Sequence, residues 1–338
     1  MNILIVQTSF IGDIILSTPV ISGVRKLYPR AHITLMTTPV GVGLFQHDPR
    51  IQEVISFDKR GREGGMWGLV QKAMELRKNG FDRVYSLHRS HRTSLLLFLA
   101  RIPWRMGVGD AKMGFLYTQR QHRPPGKHAV VRNLSLLFGE ADPADFDDDL
   151  ELHAPKREAL SSGTRDLIAS LSPGFVLLAP GSAWRTKQWF EEGFIQVARH
   201  FLKKGRQVVL MGGPADKDLC RRIGKDLDLF DLSGKTPLSE TLYFVKNAGV
   251  LVCNDSMALH MGSAFKVPCV SIFCATSPSF GFGPWKNPNS LIVEDTSLEC
   301  KPCRRHGSVT CPRGDEACMK VPAREVIEAC ETLLEREV

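Results

Sequence analysis

The chain has 338 residues, enough for two domains of ordinary size, and its 43% hydrophobic and 24% charged content is that of a soluble globular protein. No apolar run is long enough to span a bilayer, and Met1–Val6 carries neither a cationic leader nor a small-residue cleavage site, so a cytoplasmic protein is expected. The net charge of +8 is uneven: Met1–Phe138 holds 20 Lys and Arg against 8 Asp and Glu, a balance of +12, while the remainder, with 24 against 28, stands at −4.

A basic first half points to an anionic partner there: nucleic acid, a membrane surface or an acidic substrate. In chain order, the apolar run Asn2–Val6 reads as a buried strand, Gln7–Asp13 as a loop and Ile14–Lys26 as a helix ended before Pro29. Ile33–Met36 and Ile51–Phe57 read as strands, and Trp67–Lys78 as a helix that stops at Asn79-Gly80. Arg83–Leu87 is a further strand, and the loop His88–Arg92 leads into an apolar helix, Thr93–Ala100. The acid- and proline-rich stretch Gly139–Pro155 reads as a surface connection, and the expected domains are 1–160 and 161–338.

A second series follows: helix Glu158–Ala169, strand Phe175–Ala179, helix Phe194–Lys203 and strand Gln207–Met211. It is completed by Val250–Phe273, which reads as strand, capped helix, strand, with Asp255 or Ser256 at the N-cap. Strands alternating with helices predict open, mostly parallel α/β sheets whose post-strand loops gather at one edge. The expected architecture is two Rossmann-like α/β domains facing a cleft.

Three post-strand loops of the second half hold nucleotide-friendly residues. Ser182 and Lys187 offer a hydroxyl and a mobile point charge suited to a diphosphate. Gly212 and Gly213 permit close backbone approach, and Asp216 can accept hydrogen bonds from ribose hydroxyls. The Asp255-Ser256 cap, with His260 one turn on, puts the positive end of a helix where a phosphate can bind. A carboxylate would repel a diphosphate, so Asp255 is expected to be occupied by backbone N–H groups or sugar hydroxyls. Neither a P-loop nor a G-x-G-x-x-G fingerprint is present, which argues against a Walker-type ATPase or an ordinary dehydrogenase.

Asn254-Asp255-Ser256 with His260, Pro180-Gly181-Ser182 with Lys187-Gln188-Trp189, and Ser9-Phe10-Ile11-Gly12-Asp13 together resemble the lipopolysaccharide heptosyltransferases that use ADP-heptose. The resemblance runs along almost the whole chain and is strongest to the second-heptose branch. It implies a GT-B fold, a C-terminal donor domain, an N-terminal acceptor domain, and inverting transfer that needs no metal or other cofactor. It further implies that Asp13 is the catalytic base and that Lys187 binds the diphosphate. Ser182, Asp216, Thr236, Asp255, Ser256 and His260 match positions around the nucleotide and donor sugar. Met257 departs from the family, which usually has Gly there.

An acidic acceptor, the Kdo-containing core of lipopolysaccharide at the inner face of the cytoplasmic membrane, suits the basic loops of the first half. Lys59, Arg60, Arg62, Arg89, Arg92, Arg120, Lys127 and Arg132 fall in or near them, with Arg60, Arg62, Arg120, Lys127 and His128 as the acceptor candidates. With no hydrophobic anchor in the sequence, membrane association is expected to be peripheral and reversible by salt. Cys300-x2-Cys303-x7-Cys311-x6-Cys318, with His306 between, can close a tetrahedral zinc site; free thiols or an iron–sulfur cluster are the alternatives. Cys220, Cys253, Cys269, Cys274 and Cys330 sit in apolar surroundings and read as small core residues. Two rival functions stand beside the heptosyltransferase: a transferase with another nucleotide-sugar donor, and a nucleic-acid binder with a zinc knuckle. The latter lacks aromatics interleaved with its basic residues, so no nucleic-acid partner is expected.

Overall fold

The N-terminal apolar run forms a strand buried on both faces, β1 (Asn2–Gln7), in which Ile3, Leu4 and Val6 are fully buried. In the computed structural model, which describes residues 1–336, this strand lies in the middle of the first of two parallel sheets. It is followed by α1 (Ile11–Ile15), α2 (Thr18–Leu27), β2 (His32–Thr37), β3 (Glu53–Ser56), α3 (Gly65–Lys78) and β4 (Arg83–Ser86). Then come α4 (His91–Leu99), β5 (Trp104–Val108), β6 (Gln119–Gln121) and α5 (Ala129–Leu134). The strand order is β3-β2-β1-β4-β5-β6, with every pairing parallel. The chain winds outward from β1 to β3, then crosses back to β4. That reversal leaves a crevice at the carboxyl ends of β1 and β4, where open α/β sheets bind ligands.

The second unit begins at Ala154. Its elements are α6 (Ser162–Ser170), β7 (Val176–Ala179), α7 (Glu191–Lys203), β8 (Val208–Leu210), α8 (Lys217–Gly224) and β9 (Phe230–Asp231). After these come α9 (Leu238–Asn247), β10 (Val250–Asn254), α10 (Met257–Phe265), β11 (Cys269–Ile272), β12 (Ser290–Val293) and α11 (Ala323–Glu335). The order β12-β11-β10-β7-β8-β9 repeats the winding of the first sheet, so its reversal lies between β7 and β10. Both units are thus Rossmann-like α/β. All five cysteines assigned to apolar surroundings are buried.

One expectation about local structure needs correction. Ile14–Lys26 is not one helix: the Ser17 hydroxyl turns back to donate to the Ile14 carbonyl at 2.7 Å, and Pro19 sits in the first turn of α2. Proline has no N–H to give the preceding turn, so it fits only where a new helix starts. Gly139–Pro155 runs over the surface and is anchored there at several points. Phe146, Leu150 and Leu152 are buried, Glu140 pairs with Arg83 at 2.9 Å and accepts from Tyr85 at 2.6 Å, and Glu151 pairs with Arg50 at 2.5 Å. Arg83 opens β4 and Arg50 shortly precedes β3, so this acidic segment is strapped to the amino-terminal edge of the first sheet. The two compact units part between His153 and Ala154.

Candidate active site

Asn254, the last residue of β10, fixes the geometry of the second unit's reversal point. Its side-chain N–H donates to the Pro180 carbonyl at 2.7 Å, and its side-chain oxygen accepts from the Trp189 N–H at 2.9 Å. The loop after β7 is thereby drawn over the end of β10. Lys187, in a 3₁₀ turn of that loop (Arg185–Lys187), brings its ammonium to 2.7 Å from Asp255, and the Thr276 hydroxyl donates to the same carboxylate oxygen at 2.7 Å. The side chains of Lys187 and Asp255 are 14% and 6% exposed, so water screens this pair weakly. Ser182 donates to the Asp255 main-chain carbonyl at 3.4 Å.

The cap at α10 differs from expectation. Ser256 occupies the N-cap with extended backbone, but its side chain makes no capping bond. Asp255 is held by Lys187 and Thr276 instead of by backbone N–H groups. His260, one turn into α10, is buried. Asp216 folds back to accept the Gly213 N–H at 2.8 Å, and its Oδ1 lies 2.5 Å from where a Cβ on Gly181 would stand. Only glycine at 181 lets the loops after β7 and β8 pack so closely. The Gly234 N–H donates to the Gly212 carbonyl at 2.9 Å, which brings the loop of Thr236 alongside; the Thr236 hydroxyl lies 3.3 Å from that of Thr241. The sequence candidates of this half therefore converge on one edge of one sheet. A lysine cation, a helix N-terminus and a serine hydroxyl there can hold a diphosphate.

The cysteine-bearing segment buttresses the Lys187 loop. The Thr186 N–H and hydroxyl both donate to the Ser308 carbonyl at 3.1 Å, the Ser308 N–H donates back to the Thr186 hydroxyl at 2.9 Å, and the Trp189 indole N–H donates to the Val321 carbonyl at 2.9 Å. Gly307, at φ +76°, passes so near that a Cβ would stand 3.0 Å from Lys187 Cγ. The expected zinc site on Cys300, Cys303, Cys311 and Cys318 is not formed: among the described residues no group of three or more His, Cys, Asp or Glu is placed to hold a metal ion. The thiols turn elsewhere, Cys303 to the Cys300 carbonyl at 3.0 Å and Cys311 to Asp315 at 3.8 Å. Burial first, and then the neighbouring thiols, push Cys318 up to about 11, so without a metal it is a protonated thiol at neutral pH.

In the first unit, Asp13 lies in α1, on the chain leaving β1, and the loop after β4 with the first turn of α4 brings His88, Arg89 and Arg92 to the other side of the reversal. Lys59 ties them together. Its ammonium donates to the Thr8 carbonyl at 2.6 Å and stands 3.2 Å from His88 Nε2, while His88 Nδ1 is 2.7 Å from the Thr93 hydroxyl. Burial, then Lys59, Arg123 and Arg89, push His88 down to about 4, so the ring is neutral at neutral pH. Nε2 then accepts from Lys59 and Nδ1–H donates to Thr93. Arg123 donates to the Leu87 carbonyl at 2.8 Å and is pulled down to about 10, by burial first and then by Arg89, with Asp110 and Asp13 opposing. Among the described residues, the Nε–H groups of Arg92 and Arg123 are buried without an acceptor.

Arg123 has no place among the sequence candidates, and beside Pro124-Pro125 nothing local singles it out. The candidates themselves are more scattered. Arg60 and Arg62 are exposed on the loop after β3, with the Arg60 guanidinium 5.7 Å from the Phe10 ring centroid. Arg120 stands on the exposed edge strand β6, opposite Gly107. Lys127 is exposed, and His128 caps α5 by accepting the Val130 N–H at 3.3 Å. The crevice of the first sheet is instead furnished by Lys59, Arg92 and Arg123.

Comparison with known proteins agrees with this geometry. A family model described as glycosyltransferase family 9 (heptosyltransferase) matches residues 70–312. The chain is 27% identical to lipopolysaccharide heptosyltransferase 3 of Escherichia coli (strain K12), over 96% of this chain and 95% of that one. Its fold is similar to the crystal structure of a family 9 glycosyl transferase from Veillonella parvula (TM-score 0.84, 24% identity, 99% and 97% of the two chains). It is similar also to E. coli ADP-heptose lps heptosyltransferase II (TM-score 0.80, 22% identity, 100% and 99%).

Proposed function

From the premise that the chain belongs to glycosyltransferase family 9, the heptosyltransferases, we propose that it transfers heptose from ADP-heptose to the inner core of lipopolysaccharide, with inversion. The observation that carries the donor half of this reading is the Lys187–Asp255 pair at the reversal of the second sheet. Asp255 holds the ammonium in place, and the ammonium's remaining N–H groups are available to a diphosphate as negative charge grows on it. Asp13 is the base: it takes the proton of the acceptor hydroxyl as that oxygen bonds to the anomeric carbon and the bond to ADP breaks. Lys187 supplies the cation that steadies the leaving ADP, so transfer needs no divalent ion. The acceptor's carboxylates and phosphates belong with Lys59, Arg92 and Arg123; among the described residues the Nε–H groups of the two arginines are buried without an acceptor. The enzyme works at the cytoplasmic face of the inner membrane, where such an acceptor is exposed.

A transfer assay across ADP-, GDP- and UDP-sugars tests the donor. Preference for ADP-heptose, with thermal stabilisation by ADP, is the expected result. Preference for another nucleotide would hand the site to the rival transferase, and indifference to every nucleotide would return the nucleic-acid reading.

Lys59 gives the acceptor half a pH signature. It is pulled down to about 8, by burial first and then by Arg60 and Arg92, from an ordinary value of 10.5. Because the unfolded chain holds this proton more tightly, the charge costs stability below pH 8, and the cost is relieved as pH rises from about 8 to 10.5. Binding runs the other way. Only the cation attracts an anion, so acceptor KM should rise as pH passes about 8 while donor KM does not. Lys59→Arg, which stays charged, should flatten that rise. Acceptor kinetics measured across this pH range check it; the same rise in Lys59→Arg would exclude Lys59 from acceptor binding.

A further inference from the structure

The first unit carries an apolar rim that no stretch of its sequence displays. Phe10, Val40, Met66, Trp67 and Met113 are all large, hydrophobic and exposed, with Trp67 at 71% and Met66 at 64%. Phe10 follows β1, Val40 follows β2, Met66 and Trp67 open the helix after β3, and Met113 follows β5. In a parallel sheet, every one of these connections leaves from the carboxyl edge. With adjacent strands about 4.8 Å apart, the connections that carry these side chains leave the sheet over a span of roughly 20 Å, from β3 to β5. The second unit, by contrast, exposes only Ile292 and Val309 among its described large hydrophobics.

Basic side chains share this edge. Lys59, Arg60, Arg62, Arg89 and Lys112 lie on the loops of that rim, and the Arg60 guanidinium rests over the Phe10 ring. The acidic segment that includes Glu140 and Glu151 is strapped to the opposite, amino-terminal edge. Cations and large apolar side chains therefore stand together on the loops of the carboxyl edge. Tryptophan, phenylalanine and methionine interleaved with arginine and lysine is the composition of a surface that lies in a lipid headgroup layer. A second copy fits badly, since a two-fold contact would press the cationic rim against itself. Among the described residues no helix is long and apolar enough to cross a membrane.

We propose that this rim is a membrane anchor, with Met66 and Trp67 as its deepest side chains and an anionic phospholipid bilayer as its partner. The proposal rests on the acceptor being a membrane-borne glycolipid, and it corrects the expectation that no hydrophobic anchor exists: the anchor is assembled from four loops. Association then has two components. Coulomb attraction brings the rim to the surface and weakens with salt, whereas burial of apolar side chains does not.

Co-sedimentation with vesicles tests it, using phosphatidylglycerol-containing and pure phosphatidylcholine vesicles free of lipopolysaccharide. The full chain should bind the anionic vesicles, retain part of that binding in high salt, and show Trp67 shielded from a water-soluble quencher, measured as the difference from Trp67→Phe. Met66→Ser with Trp67→Ser should lower partitioning about tenfold or more, with melting temperature and ADP binding unchanged. Partitioning equal to the parent, complete release by salt with Trp67 still open to the quencher, or a rim-dependent dimer in place of vesicle binding would each overturn the anchor. Vesicle binding without heptosyl transfer would fail the functional reading and leave the anchor standing. Transfer without vesicle binding would do the reverse.

Discussion

Asp13→Asn is expected to lower turnover by roughly 10²–10⁴-fold while ADP binds as tightly as to the parent. The amide keeps the shape of the side chain and loses only the ability to take a proton. Its other role, as a first-turn acid complementing the dipole of α1, is worth about 0.3–1 kcal/mol. That is a few-fold shift in the folding equilibrium and cannot account for a rate loss of this size. Single-turnover kinetics beside a melting curve separate these effects. A variant that melts lower but turns over normally would assign Asp13 to helix stability alone.

Lys187→Ala should act on two quantities at once. Losing a charge-assisted phosphate contact, worth about 1.5–3 kcal/mol, should weaken ADP binding about tenfold or more. The same change strands Asp255, which is 6% exposed at its side chain, with Thr276 as its remaining partner. Breaking a buried pair in this way costs about 3–5 kcal/mol. The double variant Lys187→Ala with Asp255→Asn removes the stranded charge, so it should recover stability without recovering ADP affinity. Calorimetric titration with ADP and thermal melts of both variants decide the matter. Lys187→Ala binding ADP like the parent would make the pair purely structural.

Why these two residues can be found in sequence while their surroundings cannot comes down to range. Buried parallel strands are continuous apolar runs, so Asn2–Val6 and Val250–Asn254 announce themselves. The strand β6, Gln119-Arg120-Gln121, contains no apolar residue and lies at the sheet edge, where only its pairing with Met106–Val108 makes it a strand. Trp104–Val108 is interrupted by Arg105 and Gly107, so it shows no unbroken apolar run. Lys187 stands out as the only lysine between Pro180 and Trp189. Its contact with Asp255 depends on β7 lying beside β10, a fact of topology that no local pattern holds. The cysteine spacing misleads for the converse reason: spacing states which thiols can meet, and the backbone turns Cys303 and Cys311 toward other partners.

The clasp between Thr186 and Ser308 bears on how the protein is made. Thr186 is fastened to a carbonyl 122 residues further on, and the Trp189 indole to one 132 residues further on. A ribosome delivers residues in order, so the diphosphate loop leaves the exit tunnel long before the segment that shapes it. The donor edge must therefore wait, open and solvated, until Val321 has emerged. Contacts of such long sequence separation fold slowly. A nascent chain halted just after α10 would hold all of Ser182, Lys187, Asp255 and His260, yet should bind no ADP; competence should arrive only with the last stretch of the chain.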